Sequence, residues 1–517
     1  MVNLSLFKTA AAKVLPATDA LNAAGAPAYR LSPEAALAQL AVTGTFRQTY
    51  YAGAEAQLND VLRLAAEVDA EYLGQLAVYA YEQGFMKDMP AVLLALLSTL
   101  PHDAFVRAFP RVVRTGKMLR NFVQIIRSGA VGRKSLGSRP KRMIQAWLET
   151  ASDEELLLAS VGNDPSLADV IKMVHPKPKS AAREALFGYL VGKPHEVSLL
   201  PAELRALLAF RRHPSGPVPA VPFQLLTALG LTGAQWVEVA RRSSWQMLRQ
   251  NLNTFHRHGA FEVEGFAEWL ASRLSDRASI AKARVMPYQL LATVQNAEGG
   301  LPEVVRMALH AAMETALENV PRLDGKVVVC PDVSGSMRSS VTGALAGATS
   351  KVRCVDVAGL VSAALLRVNP AARVLPFDWD VVPLDIDPHA GVLANARQLA
   401  SVGGGGTSCS APLRHLVRQR ASVDLVVFVS DNESWMDAKG RDGATETMQA
   451  WQELKKLNPA AKLVCIDLQP NTTTQAVTRA DVLNIGGFSD QVFAALGAFA
   501  RDETPDALVH RIKAVRF

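Results

Sequence analysis

The chain has 517 residues, 49% of them apolar and 20% charged. That is too long for one hydrophobic core and too apolar for a disordered polymer, so two or more folded domains are expected. No apolar run reaches the roughly 20 residues that span a bilayer. The first twenty residues lack the charged start, long apolar stretch and small-residue cleavage site of a secretory leader, so they read as part of the mature protein, and the cysteine usage points to reduced thiols in a cytoplasmic one. The formal charge of +7 suits a nucleic-acid partner without requiring one.

Residues 1–324 read as helix after helix. Glu55–Gly84 carries Leu58, Val61, Leu62, Ala65, Val68, Tyr72, Leu73, Leu76, Ala77 and Ala80 at helical spacing. Pairs of shorter helices follow: Ala91–Leu100, Ala104–Arg114 with Met118–Ser128, and Lys141–Thr150 with Asp153–Ser160. Pro, Gly and Asp or Asn punctuate the joins. Strand-like alternation is nearly absent, and no crisp repeat period stands out. Many short paired helices predict a HEAT-like or armadillo-like α-solenoid.

From residue 325 to 517 the pattern changes. Lys326–Pro331, Arg373–Pro376, Asp424–Ser430 and Lys462–Leu468 are short β-branched runs. Between them lie amphipathic stretches at Val352–Val368, Val392–Val402, Ser410–Ala421 and Thr445–Leu457. Continuous apolar strands alternating with helices predict a parallel sheet buried on both faces, a doubly wound α/β domain. The four cysteines, Cys330, Cys354, Cys409 and Cys465, all fall here without CxxC spacing, so neither a zinc site nor a disulfide framework is expected.

In such sheets ligands sit at the carboxyl ends of the strands. The first strand runs into Asp332-Val333-Ser334-Gly335-Ser336. The glycine loop 403–406 leads to Thr407, and the third strand ends at Asp431. Two carboxylates and three hydroxyls from three strand-end loops make a hard oxygen site, suited to Mg²⁺ or, second, Mn²⁺. No His or Lys stands at motif distance from Ser334 or Ser336 to activate either hydroxyl, and His389 and His415 read as surface or helix-face residues. Catalysis is therefore not expected.

This pattern resembles the metal-ion-dependent adhesion site (MIDAS) of von Willebrand A domains. The stretches DVSGSM, GGGGTSCSAP, FVSDNES and GGFSD together resemble the TROVE family of Ro ribonucleoproteins and their bacterial Ro-related counterparts. In the helical half, Leu21–Gly25, Trp245–Leu252 and Ala281–Tyr288 are similar to family segments, so the likeness spans residues near 20 to 490. The resemblance implies a ring of helical repeats closed by the von Willebrand A domain. It also implies small noncoding Y RNAs on the outer surface, single-stranded 3′ ends of misfolded RNAs in the hole, and a role in RNA quality control, maturation and decay. An exoribonuclease such as polynucleotide phosphorylase is the implied protein partner, and the likeness to von Willebrand A adhesion sites implies a metal coordination position left open for an acidic group from a partner.

The charge distribution suits that role. From Ala104 to Trp147 there is no Asp or Glu, while eleven Lys and Arg occur, among them Arg127, Arg133, Lys134, Arg139, Lys141 and Arg142. A one-sided run of this length points to phosphate binding. A second cluster holds Arg241, Arg242, Arg249, Asn251, Asn253, His256, Arg257 and His258, with Trp245 and Phe255 as candidate stacking surfaces for single-stranded RNA. By resemblance, Lys172 and His175 belong to the Y RNA surface, and Arg249, Lys282 and Arg284 to turns near the hole. One departure is Val161–Pro165, neutral or acidic where animal members are basic. Two other readings compete with it: a metal-dependent protein-interaction scaffold without RNA, and the accessory subunit of an ATPase-driven metal chelatase. The latter predicts an acidic or proline-rich linker before residue 325, and none is visible.

Overall fold

The computed structural model describes residues 15–51, 53–214, 216–283, 285, 287–297, 299–343, 351–437, 443–487, 491–501 and 507–517. Its helices start where the sequence supplies a cap. Asp69 accepts from the Tyr72 amide and opens Ala70–Glu82. This cap splits the expected Glu55–Gly84 segment into two helices, Ala54–Ala65 and Ala70–Glu82. Thr115 opens Gly116–Ser128, which Gly129 closes at φ +84°. Ser152 with Glu155, and Ser166 with Asp169, form reciprocal capping boxes.

The chain divides into two compact units. One takes residues 69–283, 297–309 and 514–517. Here Ala70–Glu82 packs on Asp88–Leu97 and Ala104–Val112, and Asp88–Leu97 packs on Gly116–Ser128. Each short helix thus buries its apolar stripe against its neighbours, as solenoid repeats do. Phe105, Phe109 and Phe122 meet at ring separations of 5.4–6.0 Å in the resulting core.

The other unit takes residues 1–68, 284–296 and 310–513. It contains a parallel five-stranded sheet whose members are β3 (Val327–Pro331), β4 (Arg373–Val374), β5 (Leu425–Ser430), β6 (Lys462–Asp467) and β8 (Val482–Gly486), in the order β4-β3-β5-β6-β8. The chain winds outward in both directions from β3, so the topological switch falls between β3 and β5. Helices Cys354–Val368, Val392–Ser401, Ser410–Arg418 and Glu446–Leu457 cover the sheet. A core of Phe377, Phe428, Trp451, Leu413 and Leu463 lies on one face.

The compact units do not divide at residue 325. A hairpin of β1 (Ala20–Leu21) and β2 (Pro27–Arg30) pairs with β7 (Thr473–Thr474), giving the first 68 residues a sheet that the alternation pattern did not suggest. Helix Pro33–Thr43, capped by Ser32, packs on β8 and sends buried Gln39 to the Asp467 carboxylate at 3.0 Å. Among the described residues no helix is long and apolar enough to cross a membrane.

Candidate functional site

The switch point sets Asp332, just beyond β3, beside Asp431, just beyond β5. Asp332 is buried; its carboxylate accepts from the Ser334 amide at 2.8 Å and the Ser430 hydroxyl at 2.7 Å. Ser334 and Ser336 follow on the same tight turn, their hydroxyls 3.3 Å apart. The glycine loop reaches this turn because its backbone does what a side chain would prevent. A Cβ on Gly403, at φ +72°, would stand 2.5 Å from the Val333 carbonyl oxygen. The Gly335 amide donates to the Gly405 carbonyl at 2.9 Å. Thr407 is thereby brought to the same place, and all five expected residues are buried.

Buried carboxylates and hydroxyls normally have partners. Here the Thr407 hydroxyl, 1% exposed, has none among the described residues. Among the described residues no Lys or Arg pairs with Asp332 or Asp431. Burial pushes Asp332 up to about 6 against the hydrogen bonds from Ser334 and Ser430. Burial, then repulsion from Asp332, pushes Asp431 well above the usual carboxylate range. Two buried like charges and an orphaned hydroxyl fit a hard divalent cation, which would reverse both shifts and take the free oxygen as a ligand.

Four residues that the sequence reading passed over complete the surroundings. Asp378, beyond β4, holds the glycine loop by accepting from the Gly405 amide at 3.0 Å. Its position after a short apolar run was the available signal. Ser430 is the last residue of β5 and orients Asp332. Glu433 is buried and accepts from the Ala24 amide at 3.0 Å, yet burial still raises it to about 7. Tyr51 lies close to Ser336 and Asp431, and burial followed by the Asp431 charge pushes its phenol pKa up. The last two contacts join the N-terminal segment to strand-end loops hundreds of residues away, which no local motif announces. His389 is exposed, and His415 bonds Gln419 on its own helix.

The basic run separates into two classes. Arg107 pairs with Glu71 and Arg111 with Glu82, each at 2.5 Å, and Arg114 approaches Glu82 at 3.6 Å. Arg120 donates to the Val161 carbonyl at 2.6 Å. Arg133 donates to the Ser98 hydroxyl at 2.7 Å, and Arg139 to the carbonyls of Ser98, Leu100 and His102. These arginines close the ends of neighbouring helices and loops. Arg133 and Arg139, expected to meet RNA, therefore have their guanidinium groups engaged with the protein. By contrast Lys117, Arg127, Lys134, Lys141 and Arg142 are exposed, and among the described residues none forms a hydrogen bond or ion pair. Lys172 is exposed as well, and His175 is exposed at the left-handed end of Leu167–Val174.

The second cluster is rearranged by burial. Trp245 is buried with its indole N–H donating to the Leu274 carbonyl at 3.1 Å, and Phe255 is fully buried. Neither ring is a stacking surface; the helical spacing placed both in the core. Arg249 is 7% exposed, donates to the Gln246 amide oxygen, and is lowered to about 10 by burial. It is not presented to an external phosphate. Asn251 bonds the Met247 carbonyl, and the half-buried His256 ring lies against Gly300. Lys282 is exposed, and Arg284 lies outside the described residues.

Residues 326–500 match the family model described as the Ro60 vWA domain. The chain is 28% identical to RNA-binding protein RO60 of Deinococcus radiodurans, over 93% of this chain and 95% of that protein. RNA-binding protein RO60 of Caenorhabditis elegans is 22% identical over 43% of this chain and 35% of its own length. The crystal structure of the Deinococcus radiodurans RO (RSR) protein matches with a TM-score of 0.62 and 25% identity, covering 91% of this chain and 99% of that one.

Proposed function

We propose, from the premise that this chain belongs to the Ro, or TROVE, family and carries a Ro60-type vWA domain, that it is an RNA-binding ribonucleoprotein component without catalytic chemistry of its own. The observation that carries the reading is the set of exposed, unpartnered cations at Lys117, Arg127, Lys134, Lys141 and Arg142 in a stretch free of carboxylates from 104 to 147. Such a face repels itself unless an anion covers it, and a polyphosphate backbone releases counterions on binding there. The bound RNAs are small noncoding Y-type RNAs and the single-stranded 3′ ends of structured or misfolded RNAs. The role is quality control, maturation and decay beside an exoribonuclease such as polynucleotide phosphorylase, in the cytoplasm.

The metal centre has a separate part. Asp332, Ser334, Ser336, Thr407 and Asp431 would hold one Mg²⁺, with Mn²⁺ as a substitute, and the ion would supply a Lewis-acidic position for an acidic group. Asp378 holds the glycine loop that delivers Thr407, and Ser430 fixes the orientation of Asp332.

The test is the protein purified from its own cells. An absorbance ratio above that of protein alone, and sequencing that returns discrete small structured RNAs, is the expected result. A nucleic-acid-free preparation whose filter-binding titrations show no affinity for stem-loop RNA would refute the reading.

A further inference from the structure

Three of the unpartnered cations surround one cavity. Arg127, Lys134 and Lys141 line a pocket of about 530 Å³ together with Ser135, Leu136 and Met173. That volume falls within the roughly 300–1,000 Å³ of small-molecule sites and far exceeds what a lone phosphate fills. Its lining contains no acidic side chain. The acid within electrostatic reach of Arg127 is Asp169, which the Ser166 amide and hydroxyl hold at 3.0 and 2.7 Å.

The pocket has two kinds of wall. On the cationic side the aliphatic stem of Lys134 lies across Gly129, its Cε 3.0 Å from where a Cβ would stand. The thirteen-residue helix Ser138–Thr150 starts at the same place, and its Gly137 cap offers no side-chain acceptor to the first-turn amides. The lining also holds Leu136, which is buried, and Met173, which is half-buried, so part of it is apolar. A ligand that uses the whole lining therefore carries both an anionic group and an apolar surface. Beyond the pocket, exposed Arg142 and Lys172 adjoin Lys141 and Met173 in sequence. They extend positive charge past the volume a single small molecule occupies, which a polyanion uses and a free mononucleotide does not.

We propose that this pocket holds one nucleotide of an RNA chain, its phosphate on Arg127, Lys134 and Lys141 and its base against Leu136 and Met173. The assignment rests on the RNA-binding reading above and deepens it. It names a point where RNA is gripped as a nucleotide, not only along its backbone.

The experiment uses the full chain and a fluorescein-labelled RNA pentanucleotide followed by anisotropy. Inorganic phosphate, ribose 5-phosphate, adenosine 5′-monophosphate and an unlabelled RNA pentanucleotide serve as competitors. Competition should strengthen in that order, with adenosine monophosphate at least tenfold better than phosphate. Lys134→Gln and Lys141→Gln should each weaken the pentanucleotide about tenfold, and Lys134→Arg should restore most of the loss. Met173→Ala should weaken adenosine monophosphate several-fold and leave phosphate unchanged. A pentanucleotide carrying 4-thiouridine should crosslink to the peptide containing Met173. Equal competition by phosphate and adenosine monophosphate would reduce the pocket to an anion site and overturn the assignment. Strong binding of adenosine monophosphate that the unlabelled pentanucleotide cannot displace would overturn it in favour of a free nucleotide. If Lys134→Gln, Lys141→Gln and Met173→Ala all bind stem-loop and pentanucleotide RNA like the wild type, the pocket assignment fails while the RNA reading stands. If the wild type binds no RNA at all, the RNA reading itself fails.

Discussion

Replacing Thr407 by Val tests the proposed metal centre through two effects of opposite sign. The Thr407 hydroxyl is buried and has no partner among the described residues. Without a cation it is a desolvated polar group that returns nothing, and such a group costs about 1–3 kcal/mol. Valine keeps the shape and removes the oxygen. In EDTA the variant should therefore be as stable as the wild type or up to about 1 kcal/mol more stable, a rise near 2 °C for a unit of this size. In Mg²⁺ the order should reverse. At an ion concentration 100 times the wild-type Kd, binding stabilises the wild type by about 2.7 kcal/mol, whereas a variant binding tenfold more weakly gains only about 1.4 kcal/mol. Thermal melts with EDTA and across an Mg²⁺ series, paired with calorimetric Mn²⁺ titration, read both terms. A variant that loses stability in EDTA and keeps wild-type Mn²⁺ affinity would refute the reasoning, because the hydroxyl would then have a protein partner and no part in metal binding.

Three further outcomes follow. Asp332→Ala removes one of the two carboxylates that offset the ion's charge, so Mn²⁺ affinity should fall at least tenfold while circular dichroism shows the helical unit still folded; undiminished calorimetric binding would exclude Asp332 as part of the site. Chelation with EDTA should leave stem-loop RNA affinity within about twofold, since the unpartnered cations lie in the helical unit and the metal residues in the other; loss of RNA binding without unfolding would contradict that separation. Glu82 is held below the ordinary carboxylate range by the hydrogen bond and charge of Arg111, so its contribution is present at neutral pH and lost as pH falls through that depressed value; urea melts of Glu82→Gln should differ most from wild type near pH 7 and converge in acid, and a gap that persists into acid would show that packing, not charge, is responsible.

The gathering of the five candidate residues was legible because its information is local. Asp332, Ser334 and Ser336 share one turn, Thr407 ends a run of four glycines, and Asp431 ends an apolar strand. Strand-end geometry then brings the three loops together without further instruction. What the sequence hid is long-range. The β2–β7 pairing, the Gln39 contact to Asp467 and the Ala24 contact to Glu433 join residues more than 400 positions apart. No periodicity within residues 1–68 records a partner at that distance. The fifth sheet strand, Val482–Gly486, carries Asn484 in its middle and Gly486 at its end, and so lacks the continuous β-branched run that marked the others. In the helical half the aromatics Trp245 and Phe255 sat among cations in sequence, but helical spacing turned the rings inward.

The basic run shows how far charge counting can carry an argument. Counted in sequence, its eleven cations look equivalent. In the fold they divide largely by residue type. The planar guanidinium offers five donors in a fixed fork and is weakly hydrated, so it can satisfy several carbonyls at a helix end from a half-buried position. Arg139 does this for Ser98, Leu100 and His102, and Arg120 for Val161. A lysine ammonium is a compact, strongly hydrated charge that gains little from such a setting, and Lys117, Lys134 and Lys141 all remain outside. The arginines that escape capture are Arg127 and Arg142. Arg127 lies in the last turn of Gly116–Ser128 and Arg142 on the exposed face of Ser138–Thr150. A substitution series that changes arginines indiscriminately would therefore confuse folding with RNA affinity. Lys134 and Lys141 separate the two, because among the described residues neither side chain forms a hydrogen bond or ion pair with the protein.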